Sequence, residues 1–447
     1  MTKQAEHTGG EPGQGAEPPT RGLRRLRTTF SGGLGRDFSL LWVGWTISSA
    51  GNGLTVTALP LLAADITSDP TRLSLVGFAD RLPWLVLALM GGAFSDRWDR
   101  RRVLWVSDAI RCCILAVLFA TVLAGWVSIP LLMAVAFSIT AIETVYDSSR
   151  QSILPMVVSR DRDALERANS RLMSANTAAL KFLGPAGGGV LYSLGRAVPA
   201  LTDSVSFGLS AVCSFLMRGD YHGTQADRKT ATTGAGHRPS MRGEIVEGIC
   251  WLARHRVLRV FTVVAGLKNM CTAGQLAMLV LYARQILGIS NVGYGLLLSS
   301  VAVGSVTAGL TCRKFTHRLG PAHASLGGSV AGALGFTILG FTDDIALVAL
   351  GLGITGYTSM TWNVTTVSLR QAMVPKHLTG RISGVNRLVT FGLMPVGILA
   401  SGVIASHLGL SAVYSIGGLF GAGVALIGLL TLSNSAVEKA LHAAEEQ

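Results

Sequence analysis

The sequence predicts an all-α membrane protein: 12 transmembrane helices in two pseudo-symmetric six-helix bundles, with both termini in the cytoplasm. Three observations carry this expectation. Apolar residues make up 49% of the chain and charged residues 14%, mean hydropathy is +0.47, and the apolar residues arrive in long blocks such as LLMAVAFSITAI and GVALIGLLTL. The basic residues gather on one side of those blocks, and the two halves of the chain repeat each other.

Residues 1–37 are polar and rich in Gly, Pro, Glu and Arg, which predicts a disordered cytoplasmic tail; they lack the short apolar run and small-residue site of a cleaved signal peptide. Residues 38–217 form the first bundle, with spans near 38–64, 73–95, 103–124, 129–149, 169–194 and 198–217. Residues 218–256 form a cytoplasmic linker. Its first part, HGTQADRKTATTGAGHRP, has nothing to bury. In the second, MRGEIVEGICWLARHRVLRV, Ile245, Ile249 and Leu252 recur at helical spacing opposite charges, as in an amphipathic helix on the inner membrane face or in a plain connector. Residues 257–432 form the second bundle, with spans near 257–283, 294–312, 323–341, 345–368, 382–405 and 410–432, and residues 433–447 a cytoplasmic C-tail.

The 54 glycines suit packing in lipid, where small residues let helices approach, as in the Gly328/Gly332 and Gly417/Gly421 pairs. A net charge of +13 raises the question of nucleic acid, and the distribution answers it. Only Arg72, Arg196 and Arg284 fall in outer loops and only Arg81, Arg111, Lys181, Lys268 and Arg387 within spans; the other 30 Lys and Arg lie at inner loops and tails. This is the positive-inside pattern of a multi-pass protein of the cell membrane. The expected surroundings are therefore a lipid bilayer and no nucleic acid, for a chain acting as a monomer. The six cysteines lack metal-ligand spacing and fall in spans or inner loops, so neither a metal site nor a disulfide is expected.

The repeat is explicit. Arg150, Gln151 and Pro155 recur as Arg370, Gln371 and Pro375 at an offset of 220, and Arg171, Asn176 and Pro185 as Arg381, Asn386 and Pro395 at an offset of 210. Duplicated six-helix halves enclose a central path that opens alternately to each side.

Between the second and third spans stands GGAFSDRWDRRRVL, a tight charged turn carrying Gly92, Asp96, Arg97, Arg100, Arg101 and Arg102. A plain positive-inside turn accounts for the arginines but not for Asp96. The turn resembles the G-x-x-x-D-R-x-x-R-R signature between helices two and three of the major facilitator superfamily. A worn copy in the second half keeps Gly309 and Arg318 but has Arg313 at the acidic position. The resemblance implies that Asp96 latches the two bundles on the cytoplasmic side in the outward-open state. The fifth span carries LGPAGGG, whose Gly184, Pro185, Gly187 and Gly188 are similar to the G-P-x-x-G-G core of the superfamily's antiporter motif, with Leu180 where a leading glycine is usual. Proline frees a carbonyl and bends the helix, and the glycines admit a close neighbour.

With RDFSLLWVGWTISSAGNG, TALPLLAADITSDP, SDAIR and IETVYDSSRQSILP, the chain resembles, from about Arg36 to Leu432, the drug:proton antiporter branch that includes macrolide and enterobactin exporters. That implies proton-coupled export of a small organic molecule by alternating access, with protons and a small-molecule substrate as partners. The branch often has an acidic residue where Asn52 stands.

Ionisable side chains inside spans are costly, so each is a functional candidate. Glu143 and Asp147 lie one turn apart on one face of the fourth span, an arrangement suited to carrying a proton; Asp147 either shares that role or pairs with Arg150. Glu143 is the first choice, since its repeat counterpart is Asn363, and Asp80 is a further proton-site candidate. Asp80 and the adjacent Arg81 are expected to point apart and serve different partners. Asp108 and Arg111 read as a structural pair, and Asp203 as a gate or a hydrated cap. Lys181 and Lys268 near the membrane middle either pair with acids of other helices or draw an acidic substrate into the cavity. Ser48, Asn52 and Thr55 share a face that lines the cavity or packs against a helix.

Other classes find less support. No G-x-x-x-x-G-K-[ST] loop exists for an ATP-driven pump, and Gly351, Gly353 and Gly356 in GLGITG lie inside an apolar span, not between a strand and a helix. Acid, base and nucleophile do not converge as an enzyme requires, and no cofactor is implied. A proton-coupled importer and a non-transporting membrane sensor or scaffold remain as alternatives.

Overall fold

Inside a bilayer every backbone N–H and C=O must be bonded within the chain, and long helices meet that demand locally. The structure, a computed structural model, describes residues 34–87, 99–158, 162–219, 221, 241–375 and 378–445, and these are helical throughout apart from short connections. In the first half, α1 (Arg36–Ile66), α2 (Pro70–Leu87), α3 (Arg100–Leu123) and α4 (Ile129–Val157) are followed by α5 (Arg162–Asn176). This passes through wide π-helical turns at Thr177–Leu183 into α6 (Gly184–Leu194), and α7 (Val198–Phe215) follows. Then come α8 (Met241–Arg254), α9 (Arg256–Gln285) and α10 (Asn291–Leu319), a π-helical stretch at His323–Gly327, and α11 (Gly328–Leu339). The chain ends with α12 (Ile345–Met373), α13 (Thr379–Gly392), α14 (Met394–Leu408), α15 (Leu410–Thr431) and α16 (Asn434–Glu445).

Among the described residues, 9 helical segments are long and apolar enough to cross a membrane: α1, α3, α4, α7, α9, α10, α12, α13 with α14, and α15. The expected second, fifth and ninth spans fall short for separate physical reasons. α2 carries Arg72, Asp80 and Arg81 within 18 residues. The fifth is divided between a polar α5 and an 11-residue α6, and the ninth is a shorter apolar helix, His323–Leu339.

Helix ends follow local chemistry. Asp99 accepts from the Arg101 amide (3.0 Å), Ser290 from Gly293 (3.2 Å) and Asp344 from Ala346 (2.7 Å), satisfying amides that lack an intrahelical partner. The duplication is visible in the bonding. Pro185 follows the π-helical turns of the fifth segment, and Pro395 follows the break between α13 and α14. The Ser49 hydroxyl donates to Asn176 Oδ1 (3.0 Å), and the Thr262 hydroxyl donates to its counterpart, Asn386 Oδ1 (3.2 Å).

The apolar cores place the two halves. Where α1 and α9 finish, one core runs across both bundles, from Leu61, Leu73, Leu132 and Phe207 to Met278–Ala283, Tyr294, Phe336 and Tyr414. At the opposite end each half has its own core, with Phe38, Leu104, Tyr146 and Ile153 in the first and Phe261, Trp362, Ile382 and Val437 in the second. The bundles are thus fused at one end and packed separately at the other. α8 joins the second bundle through buried Leu252 and an ion pair from Arg381 to Glu247 (2.5 Å), while Val246 and Ile249 stay exposed. The Ile245 side chain lies outside the described residues.

Candidate functional site

Two charged assemblies stand out, one inside the first bundle and one between the bundles. The first is centred on Arg111 of α3. Its guanidinium lies between the rings of Tyr146 and Phe207, 5.1 Å from each centroid, and its side chain is only 2% exposed. Asp108, one turn earlier, is fully buried, approaches Arg111 Nη1 at 3.8 Å and accepts from the Ser210 hydroxyl (2.7 Å). Among the described residues, Arg111 Nε and Nη2 have no hydrogen-bond partner. The cation is therefore held by rings and by the field of surrounding carboxylates rather than by a closed set of bonds.

Two further acids share that field. Asp203 of α7 is fully buried and accepts from the Thr55 and Ser206 hydroxyls; the charges that act on it are Arg111 and Glu143. This burial corrects the hydrated-cap alternative. The contact depends on Gly51, since a Cβ there would collide with Asp203 Oδ1 and Ser206 Oγ and hold α1 away from α7. Glu143 is half-buried on α4, and among the described residues its carboxylate makes no hydrogen bond or ion pair. The charged groups within electrostatic reach of it are Arg111, Asp147, Asp80 and Arg81.

The neighbouring groups are already engaged. Asp147 meets Arg150 at 3.5 Å, so it takes the ion-pair alternative, and the Arg150 guanidinium lies 4.1 Å from the Trp45 ring centroid. Trp45 stacks on Tyr146 at 5.9 Å, which continues the chain of contacts to Arg111. Asp80 accepts from Thr140 (2.8 Å) and pairs with Arg81 (3.1 Å). The expectation that Asp80 and Arg81 serve different partners is corrected here: their Cβ directions diverge, but the long arginine side chain folds back.

The cavity candidates separate. Ser48 is buried and donates within α1 to the Trp45 carbonyl (3.2 Å), whereas Thr55 is taken up by Asp203 and so packs α1 against α7. Asn52 is half-buried, and Lys181 and Asn363 are exposed. Lys268 lies in a cavity in the second bundle, where its ammonium donates to Ser329 Oγ at 3.4 Å and faces the Trp362 ring at 5.2 Å.

Of the charged turn, Gly92, Asp96 and Arg97 lie outside the described residues. Arg100 reaches Met156 Sδ at the end of α4 (2.7 Å), and Arg101 reaches the Phe215 carbonyl at the end of α7 while covering its ring. These arginines tie three helix ends together. In the fifth segment, Gly184 brings α6 against Gly53 of α1, where a Cβ on either residue would strike the other's backbone. Pro185 and Gly188 are buried, and Gly187 faces Leu54.

The second assembly joins the bundles at their fused end. Asp65, at the close of α1, accepts from Arg284 of α9 (2.6 Å), from Arg196 (2.8 Å) and from the Tyr192 hydroxyl (2.6 Å); Arg284 also donates to Asn291 (2.9 Å). Among the described residues, Asp65–Arg284 is the one ion pair that links the two halves. Spacing in the sequence does not reveal it, because the partners are 219 residues apart. The only signal is that Arg196 and Arg284 are two of the three arginines expected in outer loops, each after an apolar span.

Comparison with known proteins supplies the remaining findings. A family model described as a transmembrane secretion effector matches residues 29–445. The multidrug efflux pump Tap of Mycolicibacterium fortuitum is 24% identical over 377 residues, covering 82% of this chain and 88% of that protein. Tap of Mycobacterium tuberculosis (strain ATCC 25618 / H37Rv) is 24% identical over 381 residues, with 82% and 87% covered. Among solved structures, the nucleoside transporter NupG aligns with a TM-score of 0.68 at 12% identity, over 89% of this chain and 99% of that one. A bacterial homologue of the iron transporter ferroportin, in an inward-facing state, aligns with a TM-score of 0.67 at 14% identity, over 88% and 98%.

Proposed function

The chain belongs to the transmembrane secretion effector family of the major facilitator superfamily, and from that membership we propose that it is a proton-coupled exporter of small organic molecules. It is a multi-pass membrane transporter and not an enzyme. In the finer reading, 12 spans form two bundles, with α2, the α5–α6 segment and the His323–Leu339 segment completing the set of 9. Both termini face the cytoplasm, because the arginine-rich turn before α3 belongs to the inner side. The fused end with Asp65 is then the outer face, and the separate cores lie toward the cytoplasm. Val246 and Ile249 of α8 are suited to rest on the inner membrane surface. Small-molecule efflux agrees with the names of the Tap relatives.

The observation that carries proton coupling is the Arg111 network, with Glu143 as its one carboxylate that makes no hydrogen bond among the described residues. With a proton on Glu143, Arg111 serves Asp108 and Asp203 alone. Once Glu143 is ionised, the same guanidinium has a third anion to balance. In a low-dielectric interior that single charge changes the energy of packing α3, α4 and α7 together, which is how one proton can bias two arrangements of a bundle. Proton entry from outside resets the carrier, and substrate enters from the cytoplasm or inner leaflet. Release of Asp65 from Arg284 opens the outer face, while the turn at Asp96 latches the inner one.

Reconstituted vesicles with an imposed pH gradient test this reading. Glu143→Gln should insert normally and lose pH-driven export at least tenfold. Undiminished export would remove Glu143 from the role, and substrate accumulation against the expected direction would favour the importer.

A further inference from the structure

The small cavity in the second bundle is lined by α9, α11, α12 and α15, with Lys268, Thr272, Gln275, Ser329, Phe336 and Thr358 on its walls. Lys268 is the one charged group among its lining residues. An ammonium has three donors to satisfy. Here one makes a long bond to Ser329, whose own hydroxyl proton is committed to the Ser325 carbonyl (2.8 Å), and the charge is otherwise faced only by the Trp362 ring. Among the described residues no carboxylate pairs with it. The Thr272 hydroxyl also makes no hydrogen bond there, and Gln275 Nε2 makes only a long one, to the Tyr414 carbonyl (3.4 Å). An intramembrane cation with no protein anion among the described residues is a functional-site candidate by default.

We propose that this cavity is an anion subsite that binds the carboxylate head of an organic acid, with the ammonium of Lys268 as its counter-ion and the donors of Thr272 and Gln275 beside it. Its enclosed space is about 20 Å³, room for a small polar group of about the size of a water, so it admits the carboxylate head while the body of the acid stays on the open side. Lys181 takes no part in this site, since it is exposed and lines none of the cavity. The subsite deepens the export reading by naming a substrate class. It sits in the bundle opposite the proton network, so binding and proton coupling can be removed independently.

The experiment uses purified full-length protein in detergent, without any gradient, and three probes on one ring system: 2-naphthoate, 2-naphthamide and 2-naphthylmethylamine. Binding is read by calorimetry and by quenching of tryptophan fluorescence, for which Trp362 is placed beside Lys268. The expected result is 2-naphthoate binding at least tenfold tighter than the amide, with the amine weakest. Lys268→Met should abolish the preference for the acid, Lys268→Arg should retain most of it, and Trp362→Phe should reduce the quenching while calorimetric binding persists. Equal binding of acid and amide by the unaltered protein overturns the proposal whether or not any variant folds, as does a preference that survives in Lys268→Met. Loss of pH-driven export in Glu143→Gln with acid binding intact separates this site from the coupling reading.

Discussion

The two halves share their packing and differ in their charge. Both break a helix at a repeated proline, and both tie the helix before that break to their first helix through a hydroxyl–asparagine bond, Ser49 to Asn176 and Thr262 to Asn386. Yet the first half encloses Arg111 among Asp108, Asp203 and Glu143, whereas the cavity of the second half holds Lys268 and neutral polar groups. Geometry that both copies need for close packing is retained in both, while a buried charge persists only where a partner or a ligand offsets its desolvation. The proposed division follows: coupling in one half, substrate recognition in the other.

The sharpest test of that difference is to remove each buried cation. Arg111→Met leaves Asp108 and Asp203 buried without a counter-charge, and should cost about 3 to 5 kcal/mol of stability. Lys268→Met removes a charge that no described carboxylate needs and should change stability by less than about 1 kcal/mol. Thermal unfolding of the purified variants measures both. If the two substitutions prove equally tolerated, the first half has no structural dependence on its network and the contrast fails.

A smaller effect is expected where the halves meet. Asp65→Asn weakens the link to Arg284 while leaving the shared apolar core intact. Because Arg196 is largely exposed and Arg284 keeps Asn291, the loss should be about 1 kcal/mol, equivalent to roughly a fivefold shift toward the state open at that end. Distances between spin labels at the ends of α1 and α9 report the shift. An unchanged distance distribution would make the ion pair a surface contact with no part in gating.

The helical fold was legible because lipid imposes long apolar runs, and the duplication because Arg150, Gln151 and Pro155 recur in the same order. The site was legible only in its parts. Asp108, Arg111, Glu143 and Asp203 each stand out as charges in apolar helices, but spacing cannot say that α3, α4 and α7 bring them together. Intrahelical reasoning also assigns Asp80 and Arg81 to different partners, because it follows the Cβ direction and neglects the reach of a guanidinium. Asp65 carries no such mark. At a helix end near water it costs little, so nothing local identifies it as the joint between two bundles.

If packing is the shared inheritance of the two halves, its repeated bonds should carry similar energies. Asn176→Ala and Asn386→Ala each delete an acceptor for a hydroxyl on the first helix of its own half, at lengths of 3.0 and 3.2 Å. Interhelical hydrogen bonds of this kind inside membranes average about 0.6 kcal/mol, because the alternative partners available to each group offset much of the gain. Both variants should therefore lower thermal stability slightly and by nearly the same amount. Their effects should also add in the double variant, since the two sites share no partner. A loss several times larger in Asn176→Ala would mean that this bond is coupled to the Arg111 network through α1, where Gly51 and Thr55 meet Asp203. The boundary between inherited packing and acquired charge would then run through α1 itself.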